Sequence, residues 1–180
     1  FGCATCHGWK GEGSPARKAP AIAGLNEGYL LTQMNAFASG KRGAHLDDHY
    51  GVQMALIARA YPERERERLA KLISALPPIN GLETTEVRGD VNKGKILYTV
   101  CAGCHGNLAQ GKAENRAPAL NRFSSAYLQR QLNNYKNNIR GGAKSNLDSQ
   151  SMRAIVQSSL LESSQIDDIT AYITSLAPGN

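Results

Sequence analysis

Cys3-Ala4-Thr5-Cys6-His7 recurs 98 residues later as Cys101-Ala102-Gly103-Cys104-His105. C-x-x-C-H is the spacing at which two thiols add to the two vinyl groups of a c-type haem. The adjacent histidine then meets the porphyrin face as the proximal iron ligand. The 180-residue chain has four cysteines, and the two motifs use all of them. None remains for a disulfide, a nucleophile or an iron–sulfur cluster. A zinc site needs four ligands, and each motif brings only three neighbours. A redox-active C-x-x-C belongs beside a strand–helix–strand pattern, and nothing in this chain reads as strand. Two covalently attached haems c are therefore expected, on Cys3/Cys6 and Cys101/Cys104, with His7 and His105 as iron ligands.

The 98-residue offset extends well beyond the cysteines. Pro20-Ala21 matches Pro118-Ala119, Tyr29-Leu30 matches Tyr127-Leu128, and Gln33 matches Gln131. Arg42-Gly43 matches Arg140-Gly141, and Met54 matches Met152. After the methionines the second copy carries two extra residues, so Leu76 pairs with Leu176. The chain is a tandem of two homologous modules: 1–79, a linker at 80–89, and 90–180. Modules of this size bury little apolar surface on their own, so each haem must supply much of its own core.

The segments read as helical throughout. Tyr29–Ser39 and Tyr127–Asn138 form an equivalent pair. Leu69, Leu72, Ile73 and Leu76 make an amphipathic stripe, repeated by Ile166, Ile169, Ile173 and Leu176. Pro62 suits the first turn of the earlier of these helices. Ser164 and Asp167 resemble a capping box for the later one. Asp90 is a candidate N-cap for a helix leading into Cys101. Only Phe1-Gly2 precede Cys3, so the first module lacks the matching lead-in helix, which suggests a processed or trimmed fragment, or a missing ordered segment. No hydrophobic run reaches membrane-spanning length, and no signal peptide is visible.

Methionine is the soft distal ligand of electron-transfer haems. Met54 and Met152 keep the offset of the cysteines, whereas Met34 aligns with Leu132 and reads as core packing. His45 and His49 align with Ala143 and Leu147, so a second histidine ligand would break the repeat. Both read as exposed loop residues, with contact to a propionate as the alternative role.

With these features the sequence resembles the two-haem class I cytochromes c of the cytochrome c4 type. The resemblance rests on the paired C-x-x-C-H motifs, A-P-x-[IL], Y-L-x-x-Q, the R-G turn and the downstream methionine. It covers nearly the whole chain and implies an all-α fold of two tandem cytochrome c domains related by a pseudo-two-fold axis. It also implies Met54 and Met152 as distal ligands, and hydrogen bonds from the proximal histidines to the carbonyls of Pro20 and Pro118. Arg42 and Arg140 match a turn beside the haem edge. There they either pair with a propionate or stay in solvent. Trp9 is either a rim contact or a surface aromatic. The family includes domains of larger respiratory proteins as well as free carriers.

Residues 1–80 hold ten Lys/Arg and seven Asp/Glu, and residues 81–180 hold eleven and eight. Arg64, Arg66 and Arg68 alternate with Glu63, Glu65 and Glu67, a solvated mixed-charge face with no basic stripe for nucleic acid. The basic balance favours salt-sensitive docking on a redox protein with an acidic surface. The motif implies a periplasmic setting, with a tether to the inner membrane outside this chain as one arrangement. The function expected is single-electron transfer without substrate chemistry, between respiratory donors and a terminal oxidase or reductase. The alternatives are an electron-entry domain of a larger membrane-bound oxidase or reductase, and a two-haem peroxidase or dehydrogenase. The two modules are expected to pack with a haem edge each at their interface, and Arg42 and Arg140 near the inner propionates.

Overall fold

A computed structural model describes residues 2–80, 87–160 and 162–177. Nine α-helices account for most of the described chain, and its only β-pairing is two isolated bridges, Ser14–Ala19 and Lys112–Ala117. Those bridges stand at equivalent places in the two modules. The first module comprises α1 (Ala4–His7), α2 (Glu27–Ala38), α3 (His49–Arg59) and α4 (Glu63–Ser74). The second comprises α5 (Val91–Leu97), α6 (Thr99–His105), α7 (Ser125–Lys136), α8 (Leu147–Ser159) and α9 (Ser163–Ser175). Residues 81–86 of the expected linker lie outside the described segments.

Equivalent helices start on equivalent caps. Asn26 and Ser124 accept the N–H groups of Tyr29 and Tyr127, opening α2 and α7. Asp48 and Asn146 do the same for α3 and α8 through Gly51 and Ser149. Each cap satisfies one of the N–H groups a helix leaves without an internal partner. Asp90 caps α5 through Asn92 and Lys93. Its own N–H donates to Asp168 Oδ1 at 2.7 Å, which ties α5 to α9.

Three local expectations change. Pro62 is the N-cap of α4, not a residue of its first turn. The capping box of α9 is formed by Glu162 and Gln165, whose Oε1 accepts the Glu162 N–H at 2.9 Å, not by Ser164 and Asp167. The helix begins earlier than the serine suggested, and Asp167 instead accepts from Gln129 Nε2 at 2.9 Å, joining α9 to α7. His49 is not a loop residue but the first residue of α3, although it is exposed as expected.

The core of the second module forms where α5 crosses α9. Gly94 is buried there, and a Cβ at this position would run into the Asp168 carbonyl and Tyr172. Tyr98 packs on Tyr172 with ring centroids 5.4 Å apart and donates its hydroxyl to the Gly106 carbonyl at 2.7 Å. Ile166, Ile169 and Ile173 are almost fully buried, as their stripe implies. The equivalent stripe on α4 is only partly covered. Ala70 is fully buried, whereas Leu72 is 63% exposed. Its counterpart Tyr172 rests on Tyr98, and the described part of the first module contains no equivalent of α5. The modules share one hydrophobic core, in which Leu25 and Leu30 of the first join Phe123, Tyr127 and Leu128 of the second.

Two candidate haem sites

Each C-x-x-C-H motif lies on a short helical turn that ends at a glycine. Gly8 and Gly106 have φ of 79° and 80°, a left-handed conformation that costs a side-chain-bearing residue. The chain then loops back through the Pro20 and Pro118 segments. His7 Nδ1 lies 2.8 Å from the Pro20 carbonyl, and His105 Nδ1 lies 3.1 Å from that of Pro118. A carbonyl only accepts, so Nδ1 carries the proton and Nε2 keeps the lone pair a metal needs. Burial lowers the pKa of both rings and outweighs the opposing effect of those hydrogen bonds. Both rings are thereby biased toward the neutral form. Burial, with Cys104 nearby, pushes the Cys101 thiol up to about 11, so it is not a resting thiolate.

Two clefts gather the remaining residues singled out from the sequence. The first is lined by Cys3, Cys6, His7, Pro20, Arg42 and Met54. The second is lined by Cys101, Cys104, His105, Pro118, Arg140 and Met152. Met34 packs against the core and also lines the first cleft, as its counterpart Leu132 lines the second. His45 and His49 line neither cleft, and Trp9 is 78% exposed and away from the rim. Among the described residues no other group of His, Cys, Asp and Glu could hold a metal ion.

The two clefts share a wall. Tyr29, Gln33, Tyr127, Gln131 and Phe123 line both. In that wall Arg42 Nη1 donates to Gln33 at 2.6 Å, and Arg140 Nη1 donates to Gln131 at 2.7 Å. The other guanidinium arms cross over. Arg42 Nη2 donates to Gln131 at 3.0 Å and Arg140 Nη2 to Gln33 at 3.0 Å. Arg42 lies over the Phe37 ring and Arg140 over that of Tyr135. The cluster shapes its tyrosines. Burial raises Tyr29 to about 12, whereas Arg42 and Arg140 hold Tyr127 below its ordinary value against the opposing effect of burial.

Haem c fits these clefts on two observations of the structure. An imidazole, buried at His105 and half-buried at His7, and a thioether line each cleft together with the cysteine pair. The Nε atoms of Arg42 and Arg140 are buried without a hydrogen-bond partner, and a propionate carboxylate is the acceptor that would satisfy them.

Sequence comparison agrees. The family model described as cytochrome c matches residues 1–77 and again 91–177. The chain belongs to the cytochrome c family. It carries two cytochrome c modules and binds two haem c groups. The thiosulfate dehydrogenase electron acceptor of Thiomonas intermedia (strain K12) is 34% identical over 78% of this chain and 65% of its own length. The chain thus spans just under two thirds of that relative. Cytochrome c4 of Azotobacter vinelandii is 29% identical over 97% of this chain and 84% of its own. The structure of Acidithiobacillus ferrooxidans cytochrome c4 superposes with a TM-score of 0.75 at 22% identity, over 96% of this chain and 98% of that one. That likeness establishes the all-α fold of tandem cytochrome c domains.

Arg42 and Arg140 stand out in the sequence as a repeated pair, whereas the glutamines that accept from them do not declare that role. Gln33 and Gln131 were visible as a repeated pair, and their shared offset was the available signal. Arg130 and Asp48, which also line the first cleft, left no signal because the repeat replaces them with Thr32 and Asn146.

Proposed function

We propose that this protein is a carrier of single electrons, in which His7 and Met54 would ligate one haem iron and His105 and Met152 the other. Bound haem c supplies a one-electron ferric/ferrous couple, and the thioether side of each pair favours the ferrous state. The chain's residues do the rest. Cys3, Cys6, Cys101 and Cys104 anchor the macrocycles. The Pro20 and Pro118 carbonyls fix the tautomer and orientation of the histidines. Arg42 and Arg140 would pair with haem propionates at the shared wall. With a histidine and a methionine both given to each iron, no coordination position would remain for a substrate, which separates this reading from a two-haem peroxidase or dehydrogenase.

The observation that carries the reading is the convergence of Met54 on the His7 cleft and Met152 on the His105 cleft. The test is the visible spectrum of the native protein and of Met54→Ala. The native protein should be fully low-spin with a thioether-to-iron charge-transfer band, and the variant should lose half of that band. A Met54→Ala spectrum identical to the native one, with a change in His45→Ala or His49→Ala instead, would overturn the assignment.

Covalent haem attachment points to the periplasm, where the partner is a redox protein that presents acidic side chains to this basic chain. The relative named as an electron acceptor of thiosulfate dehydrogenase supports an enzyme of that kind as the electron donor. A membrane-bound oxidase or reductase is the corresponding acceptor. Rapid haem reduction by purified thiosulfate dehydrogenase with its substrate would establish the donor, and no reduction would exclude it.

A further inference from the structure

The repeat relates the two clefts, yet they receive different side chains from the opposite module. Arg130 lies on α7 of the second module and lines the first cleft. The position 98 residues earlier is Thr32 on α2, which lines the second cleft. Arg130 is held from several sides. Its Nη2 donates to the Lys18 carbonyl at 2.7 Å. Its guanidinium lies over the rings of Tyr50 and Tyr127, 5.0 and 5.3 Å from their centroids. Its Nε is buried and has no hydrogen-bond partner. A guanidinium fixed in this way, with a donor unused, suits a carboxylate.

The other charges of the two walls lean the same way. Arg17, Lys18, Arg42 and Arg130 line the first cleft against one carboxylate, Asp48. Arg116 and Arg140 line the second against Glu114 and Asp148, and Arg116 already pairs with Asp148 at 3.2 Å. Asp48 opposes the trend, but its Oδ1 already accepts from the Gly51 N–H at the start of α3 and from Asn134 Nδ2. The propionates are equal in number at the two sites and do not distinguish them. Positive charge in a partly buried wall favours the iron state with one positive charge fewer, the ferrous one.

We propose that Arg130 is a charge partner, supplied across the module boundary, for a propionate of the first haem, and that it makes the His7 haem the higher-potential site of the pair. Thr32 leaves the second haem without an equivalent. A half-reduced molecule therefore keeps its electron on the first module, and the tandem has a direction built into its wall. This rests on the His/Met reading above. Failure of that reading would show separately, as a high-spin spectrum of the native protein before any substitution is made.

The test is a redox titration of the two-haem protein followed by proton NMR, which reports each haem through its own paramagnetically shifted methyl resonances. In the native protein the first haem should be reduced first. Arg130→Thr should lower the ratio of first-haem to second-haem reduction by roughly tenfold, about 59 mV for one electron, mostly by moving the first haem. Arg130→Lys should restore most of the ratio. Thr32→Arg should raise the second haem's potential, and this variant decides the matter if Arg130→Thr does not fold. Reduction of the second haem first in the native protein would overturn the proposal. So would an equal shift of both haems in Arg130→Thr, or an unmoved second haem in Thr32→Arg.

Discussion

Gln131 accepts a hydrogen bond from Arg42 across the module boundary at 3.0 Å while holding Arg140 of its own module at 2.7 Å. Gln33 repeats the arrangement in the opposite sense. Two like-charged guanidiniums are thus joined through neutral amide oxygens inside one wall. Among the described residues no carboxylate pairs with either of them there. The arrangement holds the modules in register and leaves the arginine charge available to a carboxylate in each cleft.

Replacing Gln131 by leucine removes the acceptor of the Arg140 Nη1 arm and the shorter of two acceptors of Arg42 Nη2, which keeps only the Tyr127 hydroxyl at 3.3 Å. Groups left buried and unsatisfied cost about 1–3 kcal/mol each, more when charged. Gln131→Leu should therefore destabilise the protein by roughly 2–4 kcal/mol. The single Gln33→Leu should cost a similar amount, and the double variant less than their sum, because the four side chains act as one network. Urea unfolding of the two singles and the double measures this coupling, and strict additivity would show that the network is not shared.

Gly94 sits where α5 touches the backbone of α9. Gly94→Ala forces the helices apart and should cost about 1–3 kcal/mol, the range for overpacking a close contact. The loss should appear in the second module. Its haem absorbance should respond at lower denaturant concentration than the first module's, and Gly103→Ala, where a Cβ meets nothing within 4 Å, should be nearly neutral.

Stability should fall on the acid side. His7 and His105 are held below their ordinary value by burial, so the unfolded chain takes up protons first. Their contribution is fully present above the unfolded histidine value of about 6.5. It is lost as pH falls below 6.5 toward the depressed folded values. The haem-free polypeptide should show the steeper decline, since an iron on Nε2 resists protonation. Denaturant midpoints between pH 7.5 and about 5 test this, and a flat profile for the haem-free chain would contradict it.

Salt should separate the two electron-transfer steps. Docking between exposed charges is screened beyond about 8–10 Å at physiological ionic strength. Exchange between haems across the buried wall is not. Stopped-flow reduction by an acidic redox protein should slow as salt rises, while redistribution within the chain keeps its rate and does not depend on protein concentration.

Much of this protein was legible in the order of its residues. The cysteine and histidine spacing is set by covalent chemistry local to five residues, so it points to the haem without knowledge of the fold. The duplication announced two modules. The repeated methionines, which a single copy could not have told from core filler, stood out because both kept the offset of the cysteines. Caps such as Asp90 were readable because a cap acts within one turn. Other features were decided only by tertiary structure, because they depend on what lies opposite. Tyr172 packs on Tyr98 because α9 crosses α5, a contact between positions more than seventy residues apart. Asp167 looked like a capping residue until α7 brought Gln129 against it. The crossing of Arg42 to Gln131, and the entry of Arg130 into the opposite module's cleft to reach Lys18, join residues 89 and 112 positions apart. Local periodicity carries no information about such pairs, since they form only when the second module folds back onto the first.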